Sequence, residues 1–298
     1  MRIFVTGATG FIGKAVVQEL LGAGHEVLGL ARSDRGAASL EALGVDVQRG
    51  SVEDIESLKS GAAITDAVVH MAFNHDFSKF KESCENDKRA IEALGAALVG
   101  TKRPLIVTAV LGALPKGVLL GEDASVTSGP SAHPRAATEE AADSLLARAV
   151  RVWVVRLPPS VHGDGDPHFV STLIKLARQK GRSGYLDDGQ NRWPAVHRLD
   201  AALLYRLILE QRPAGSRYHA VAEEGIPFRE LATAIGRRLD VPVTSVPRSE
   251  AAAHFGGFAT FAGMDLRASS IRTRELLGWS PTQVGLLEDL EQGRYFAS

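Results

Sequence analysis

Residues 6–13 read Thr6-Gly7-Ala8-Thr9-Gly10-Phe11-Ile12-Gly13, with a glycine at every third position between an apolar run and a segment of helical periodicity. Ile3-Phe4-Val5 has the composition of a short buried strand, and Phe11, Ile12, Ala15, Val16, Leu20 and Leu21 recur at the spacing of one helix face. Strand, tight loop, helix is the implied order. In such a unit Gly7 permits the sharp turn, Gly10 lets the backbone approach a pyrophosphate, and Gly13 lets the helix pack closely on the strand. The positive end of the helix then faces the phosphates. Because the pattern follows a strand and opens a helix, the segment Gly7, Ala8, Thr9, Gly10, Phe11, Ile12 and Gly13 is expected to cradle a dinucleotide.

The same rhythm continues outward from this loop. Strand signals fall at 26–31, 45–47, 67–70, 104–108 and 151–156, and helical patterns at 37–43, 52–58, 90–99 and 136–150. Repeated strand-then-helix units of this length predict an α/β fold, a doubly wound parallel sheet with helices on both sides. From Pro158 onward the rhythm breaks: glycine, proline and histidine crowd 157–197 before helical patterns return at 201–210, 228–239 and 267–277. The expected organisation is a dinucleotide-binding domain over 1–157, with 195–222 returning to it. A smaller lobe over 158–194 and 223–298 would cover the carboxyl edge of the sheet, where open α/β folds bind ligands. The alanines at 251–253 are read as a mobile helix or lid.

Composition narrows the partners. A chain of 298 residues with 45% hydrophobic and 23% charged content buries a substantial core. A formal net charge of -1 gives no field that favours nucleic acid or an anionic membrane. No apolar run reaches the roughly 20 residues of a membrane span, and the opening strand is not a signal peptide. The single cysteine, Cys84, excludes an intrachain disulfide. A cytoplasmic protein acting on a small molecule is the expectation.

The choice of dinucleotide is made at the end of the second strand. An acidic residue there would accept hydrogen bonds from a free ribose 2′-hydroxyl and repel a 2′-phosphate. The chain instead reads Leu30-Ala31-Arg32-Ser33-Asp34-Arg35. Arg32 offers charge-assisted bonds to a phosphate, with Ser33 or Arg35 as a second donor. NADP is therefore expected in preference to NAD.

The chain resembles the extended and atypical branches of the short-chain dehydrogenase/reductases, the NAD-dependent epimerase/dehydratase-like proteins. Besides the glycine loop, Val69-His70-Met71-Ala72 is similar to their VIHLAA and Arg156-Leu157-Pro158-Pro159-Ser160-Val161-His162-Gly163 to their RPPNVYG. Val196-His197-Arg198-Leu199-Asp200 resembles HVDD, and Leu277-Gly278-Trp279-Ser280-Pro281 resembles LGWKP, followed by Glu288-Asp289-Leu290. The resemblance implies a Rossmann fold in which Met71, Ala72 and Phe73 line the cofactor, Ser51 and Val52 border adenine, and Pro158 lies near nicotinamide. It also implies that His197 sits beside the lobe junction. A dimer through helices such as 90–99 and 136–150 is a further implication.

The catalytic segment departs from that family. Such enzymes carry a Tyr and a Lys four residues apart and a Ser or Thr after the fifth strand, which together deliver a proton and orient the substrate oxygen. Aligned on Glu139, this chain has Ser131 in place of the Tyr and Arg135 in place of the Lys. A serine hydroxyl is far too weak an acid to replace a phenol of pKa about 10. None of the four tyrosines, at 185, 205, 218 and 295, stands in a Tyr-x-x-x-Lys pattern. Thr108 is the hydroxyl nearest the fifth strand, as a substrate-orienting group or a packed strand-end residue. His133, His162 and His197 fall in segments expected near the carboxyl edge and titrate near working pH; His162 stands where the family often has Tyr. Tyr185 lies in a loop that faces a substrate pocket or anchors itself. Asp164 and Asp166, with His162 and His168, fit a metal cluster or a capped turn; the resemblance favours the turn, and no metal is expected.

The reading is an NADP-dependent oxidoreductase transferring hydride between nicotinamide and a carbonyl or alcohol. A nucleotide-sugar epimerase or dehydratase is the first alternative and needs a basic residue in the lobe, with Arg217, Arg248 and Arg267 as candidates. A catalytically silent NADP(H)-binding sensor is the second.

Overall fold

The computed structural model describes residues 1–127, 129 and 132–296. The first half runs β1 (Arg2–Thr6), α1 (Phe11–Gly22), β2 (Glu26–Ala31), α2 (Asp34–Glu41), β3 (Asp46–Arg49), α3 (Ile55–Ala63), β4 (Ala67–His70), α4 (Phe80–Ala96), β5 (Leu105–Val110), β6 (Leu119–Leu120), α5 (Ala136–Ala147) and β7 (Val152–Leu157). The second runs β8 (Ser160–His162), α6 (Phe169–Lys180), β9 (Ser183–Leu186), β10 (Arg192–His197), α7 (Arg198–Gln211), β11 (Arg217–His219), β12 (Glu223–Pro227), α8 (Phe228–Leu239) and β13 (Val243–Val246). It finishes with α9 (Ala251–Phe255), α10 (Ala259–Ala262), β14 (Arg267–Ala268), α11 (Ile271–Leu277) and α12 (Leu286–Gln292).

Seven parallel strands form the main sheet in the order β11-β7-β5-β4-β1-β2-β3. The chain winds outward in opposite directions from β1 and β4, so their carboxyl ends flank the crevice where such sheets take ligands. Alternation along the strands divides the core. Ile3, Val5, Ile106, Trp153 and Val155 face the side covered by α1 and α7, whereas Phe4, Val68, Leu105, Val107 and Val154 face α3, α4 and α5. Each large apolar side chain so buried contributes about 1.5–3 kcal/mol relative to exposure.

The lobe holds a second core around Trp193, Phe228, Leu231, Ile235 and Ile174. Its strands pair as β12-β10-β8, β13-β9 and β14-β6. Two segments cross between the halves. Leu111, Leu114 and Leu120 pack into the lobe, while Leu277 and Trp279 join the main core against α7.

Several motifs are structural fasteners. Arg156, fully buried on β7, forks onto Glu139 of α5 through Nε–Oε1 at 2.8 Å and Nη2–Oε2 at 2.7 Å, and also donates to the carbonyls of Glu122 and Ala124. Asp200 accepts from the amides of Thr282 and Gln283, and its carbonyl receives the Trp279 indole at 2.9 Å. His197 caps α7 through Nδ1, which accepts from the Leu199 amide.

Element edges differ from the pattern-based reading in three places. The third helix starts at Ile55, because Asp54 accepts from the Ser57 amide while Ser51 turns its hydroxyl to Glu53. The fourth begins at Phe80, ten residues before 90, on a face carrying buried Cys84 and Asp87 among charged neighbours. At 267–268 the chain pairs with β6 before the helix begins at Ile271. The alanines at 251–253 belong to α9. Among the described residues no helix is long and apolar enough to cross a membrane.

Candidate coenzyme cleft and active site

The loop after β1 is shaped by collisions that only glycine avoids. Gly7 has φ +73°, and a Cβ there would lie 2.7 Å from the Ala72 nitrogen; one on Gly13 would lie 2.0 Å from the Gly7 carbonyl oxygen. Gly10 caps α1 in an extended conformation without a side-chain bond, and the first turn carries no acid. The leading amides of α1 thus keep their hydrogens for an anion, reinforced by the helix dipole. This cradle fits a dinucleotide pyrophosphate. Across from it stands Arg198, the first residue of α7, whose guanidinium lies 5.0 Å from the Phe11 ring centre. Its buried Nε has no partner among the described residues.

A buried polar chain ties the loop to α5. Thr6 Oγ1 accepts from the amides of Met71 and Ala72 at 3.2 and 3.3 Å, so its hydrogen goes to His70 Nδ1 at 2.8 Å. His70 then donates from Nε2 to Asp87 Oδ1 at 3.1 Å. Asp87 Oδ2 accepts from Arg135 at 3.0 Å and from the Thr138 hydroxyl at 2.6 Å. Burial alone would raise the Asp87 carboxyl, but Arg135, with the bonds from His70 and Thr138, holds it below the ordinary carboxylate value.

At the adenosine end, Arg32 and Arg35 are exposed just beyond β2. Ser33 turns its hydroxyl inward to cap α2 by accepting from the Gly36 amide. Arg49 ends β3 directly opposite Ala31 and donates to the Ser33 carbonyl at 2.8 Å and to Asp34 at 2.7 Å. Arg49 is not among the residues the sequence singled out, although as the last residue of the neighbouring strand it carried a readable signal. Ser51 and Val52 follow it in the loop before α3, with Val52 packed partly against the core beneath.

At the other end, Met71, Ala72 and Phe73 leave β4 half-buried along the crevice. Arg135 is 6% exposed. Besides Asp87 it donates to the Thr108 carbonyl at 3.1 Å, and it lies 4.1 Å over the Phe73 ring. Its charge is therefore committed within the protein. Thr108 donates its hydroxyl to the His70 carbonyl at 2.9 Å and receives that of Tyr205 at 2.7 Å, beneath the carboxyl edge. His162 is fully buried on β8, with Nδ1 2.8 Å from Asp289 and its ring against His197. Pro158 is buried in the turn between β7 and β8. His133 accepts the Arg135 amide on Nδ1. Ser131 lies outside the described residues. The segment around Asp166 is a capped turn: its carboxylate accepts from the His168 amide at 2.8 Å and the Tyr295 hydroxyl at 3.2 Å. Tyr185, expected in a loop, lies instead on β9, paired with β13, and the Arg229 guanidinium of α8 stands 5.4 Å from its ring centre. Among the described residues no group of three or more His, Cys, Asp or Glu side chains is fit to hold a metal ion.

Two imidazoles stand at the crevice mouth that the sequence did not single out as acids. His75, from the loop after β4, and His168, at the start of α6, have ring centres 5.5 Å apart. Burial lowers the pKa of both, helped by Arg135 for His75 and by His75 for His168, which falls to about 4.

A parallel sheet with a glycine cradle at its switch point and a lobe over its carboxyl edge defines a nucleotide-binding protein of the Rossmann class. The profile of a family described as NAD(P)H-binding matches residues 7–171, and the chain belongs to that family. An uncharacterized protein of Schizosaccharomyces pombe is 51% identical over 99% of this chain and 100% of its own. The 2-alkyl-3-oxoalkanoate reductase of Stenotrophomonas maltophilia is 31% identical over 78% of this chain and 73% of its own. In fold, the chain is similar to a nucleoside-diphosphate-sugar epimerase of Pseudomonas aeruginosa, with a TM-score of 0.79 at 18% identity over 100% of this chain and 97% of that one. The protein is an atypical short-chain dehydrogenase/reductase with epimerase-like architecture.

Proposed function

We propose that the protein is an NADP-dependent oxidoreductase that reduces a carbonyl group of a small molecule. The observation that carries the coenzyme choice is the cluster of Arg32, Arg35 and Arg49 around the end of β2, where the adjoining carboxylate, Asp34, is already paired with Arg49. A 2′-phosphate would meet guanidinium groups there and no free acid.

Bound NADPH would supply the hydride. The residues of this chain hold and orient: α1 and Arg198 grip the pyrophosphate from opposite sides, and Met71 to Phe73 support the nicotinamide half. The His75–His168 pair passes a solvent proton to the developing alkoxide, a role for which Thr108 and His162 are poorly disposed, since one is bonded beneath the sheet edge and the other is tied to Asp289. The reductase named among the relatives supports this direction of reaction. The nucleotide-sugar alternative is less well served, because Arg217 and Arg248 are each paired with carboxylates, which leaves it exposed Arg267 on β14 of its three candidates. The missing Tyr and Lys favour the silent sensor.

Turnover separates these readings. Titration calorimetry should give NADPH at least about tenfold tighter binding than NADH, a difference of about 1.4 kcal/mol, and Arg32→Glu should reverse the order. NADPH oxidation is then followed against a panel of aldehydes and ketones. A native preference for NADH overturns the coenzyme assignment; tight NADPH binding without consumption selects the sensor.

A further inference from the structure

The loop from Gly163 to His168 joins β8 to α6 and delivers His168 to the crevice mouth. Its first end is pinned from two sides. His162, the last residue of β8, is bonded to Asp289 of α12 at 2.8 Å. A Cβ on Gly163 would come to 2.9 Å from His197 Nε2 and 3.2 Å from Arg198 Cγ, so this end has no room to shift toward α7. The far end places the His168 ring 5.5 Å from that of His75 and 6.0 Å from that of Phe11. Between the two ends Asp164, Gly165 and Pro167 are exposed, yet Asp166 turns inward and is 6% exposed.

A single hydroxyl from the segment after α12 joins both ends. Tyr295 accepts the Gly163 amide at 3.2 Å and donates to Asp166 Oδ2 at 3.2 Å. The other carboxylate oxygen of Asp166 accepts from the His168 amide at 2.8 Å, so two hydrogen bonds separate the phenol from the backbone of His168. Burial, with Asp166 beside it, raises the Tyr295 phenol above its ordinary value, and the hydroxyl keeps its proton as a donor. The segment that carries it is anchored in the lobe. Arg178 donates to the Phe296 carbonyl at 3.0 Å, and the Arg238 guanidinium lies 5.1 Å from the Phe296 ring centre.

The placement of Asp166 argues for a role beyond packing. Its side chain is bonded to an amide and a phenol, both neutral, and among the described residues it forms no ion pair that would offset its desolvation. A buried carboxylate that weakens the fold while fixing the backbone of a residue in the site fits a geometry kept despite a loss of stability. We infer that Tyr295 is a positioning residue: its hydroxyl clamps Gly163 to Asp166, and through Asp166 it holds His168 against His75 and Phe11. The functional weight of His168 comes from the proton pathway proposed above, whereas the clamp itself stands on these contacts.

NMR of the coenzyme-free protein reads the clamp directly, with the His168 ring signals identified by their loss in His168→Gln. Native His168 should show ring-to-ring cross-relaxation with His75 and Phe11 and titrate at about 4. In Tyr295→Phe, which removes only the hydroxyl, the cross-peaks should disappear and the titration should move up toward 6.5 as the ring gains solvent. Asp166→Ala should do the same. Asp166→Asn, which keeps an acceptor for the His168 amide and a polar partner for Tyr295, should leave both readings native. Native cross-peaks and titration in Tyr295→Phe or in Asp166→Ala would overturn the inference, as would their loss in Asp166→Asn. Should Tyr295→Phe fail to fold, the two Asp166 variants decide. In ketone reduction Tyr295→Phe should lower kcat about tenfold with the KM for NADPH unchanged. If the native protein reduces no ketone, the proton pathway fails, and the NMR comparison still decides the clamp.

Discussion

Asp87 and Arg135 meet at 3.0 Å with side chains 3% and 6% exposed, so each charge depends on the other for its solvation. Replacing Arg135 by Leu strands a buried carboxylate, at a cost of about 3–5 kcal/mol. The native Asp87 carboxyl titrates below its ordinary value, so its contribution is present above pH 3.8 and fades as pH falls through the lowered folded-state value. In the variant burial is uncompensated and the carboxyl titrates above its ordinary value. Thermal melts should therefore show a larger deficit at pH 8 than at pH 5. An equal deficit at both would mean that packing rather than charge carries the loss.

Arg49 bridges the ends of β2 and β3 and occupies the Asp34 carboxylate. In Arg49→Leu that carboxylate is released beside the 2′-phosphate position. NADPH affinity should fall by roughly tenfold while NADH affinity changes less than about twofold, as measured by calorimetry. Parallel losses for both coenzymes would remove Arg49 from the specificity site.

Gly13→Ala drives a methyl group to within 2.0 Å of the Gly7 carbonyl, where backbone on both sides must shift. Such overpacking costs about 1–3 kcal/mol or more. Loss of coenzyme binding should exceed that measured for Arg49→Leu, with both NADPH and NADH affected, because the pyrophosphate cradle is common to them.

The proton pathway predicts a kinetic split. His75→Gln and His168→Gln should each lower kcat for ketone reduction by about 10- to 100-fold, with the KM for NADPH unchanged. Native kcat should rise as pH is lowered from 8 toward 5, since burial lowers both imidazoles from their ordinary value of 6.5, His168 to about 4, so their protonated fraction is still climbing across that range. Retention of that rise in both variants would move the donor elsewhere.

Asp166 offers the opposite pH sign from Asp87. Burial lifts its carboxyl from 3.8 to about 6, so keeping it ionised costs stability that grows between those values and is fully lost above them. Asp166→Asn removes that cost, about 2–3 kcal/mol, at neutral pH. The variant should melt higher than the native protein at pH 8 and alike at pH 4, by differential scanning calorimetry. A lower melting temperature at pH 8 would show that the ionised form earns its place through Tyr295.

What the sequence discloses depends on how local the physics is. The collisions that demand glycine at 7 and 13 arise within a few residues or against the adjacent strand end, and strand alternation needs only a window of five, so loop and sheet were readable. The fastening of Trp279 to Asp200 was visible as two resembling motifs, though not as one contact. The surroundings of Thr108 were not legible, for the opposite reason. Its partner Tyr205 lies 97 residues away, and only the packing of α7 brings them together. Arg49 became visible once β3 was aligned beside β2, and the His75–His168 contact joins the loop after β4 to the start of α6, which no single stretch contains. At residue 55 the choice between Ser51 and Asp54 as cap was beyond propensity, since both side chains suit the role.

The placement of Trp279 in the first core, fastened to α7, has a bearing on synthesis. A nascent chain cannot complete the core on the α1–α7 face of its opening strands until some 280 residues have cleared the ribosome and the indole can reach the Asp200 carbonyl. Expression of 1–157 alone would leave that face open to solvent, and a split protein should regain solubility only when the later fragment is supplied in trans.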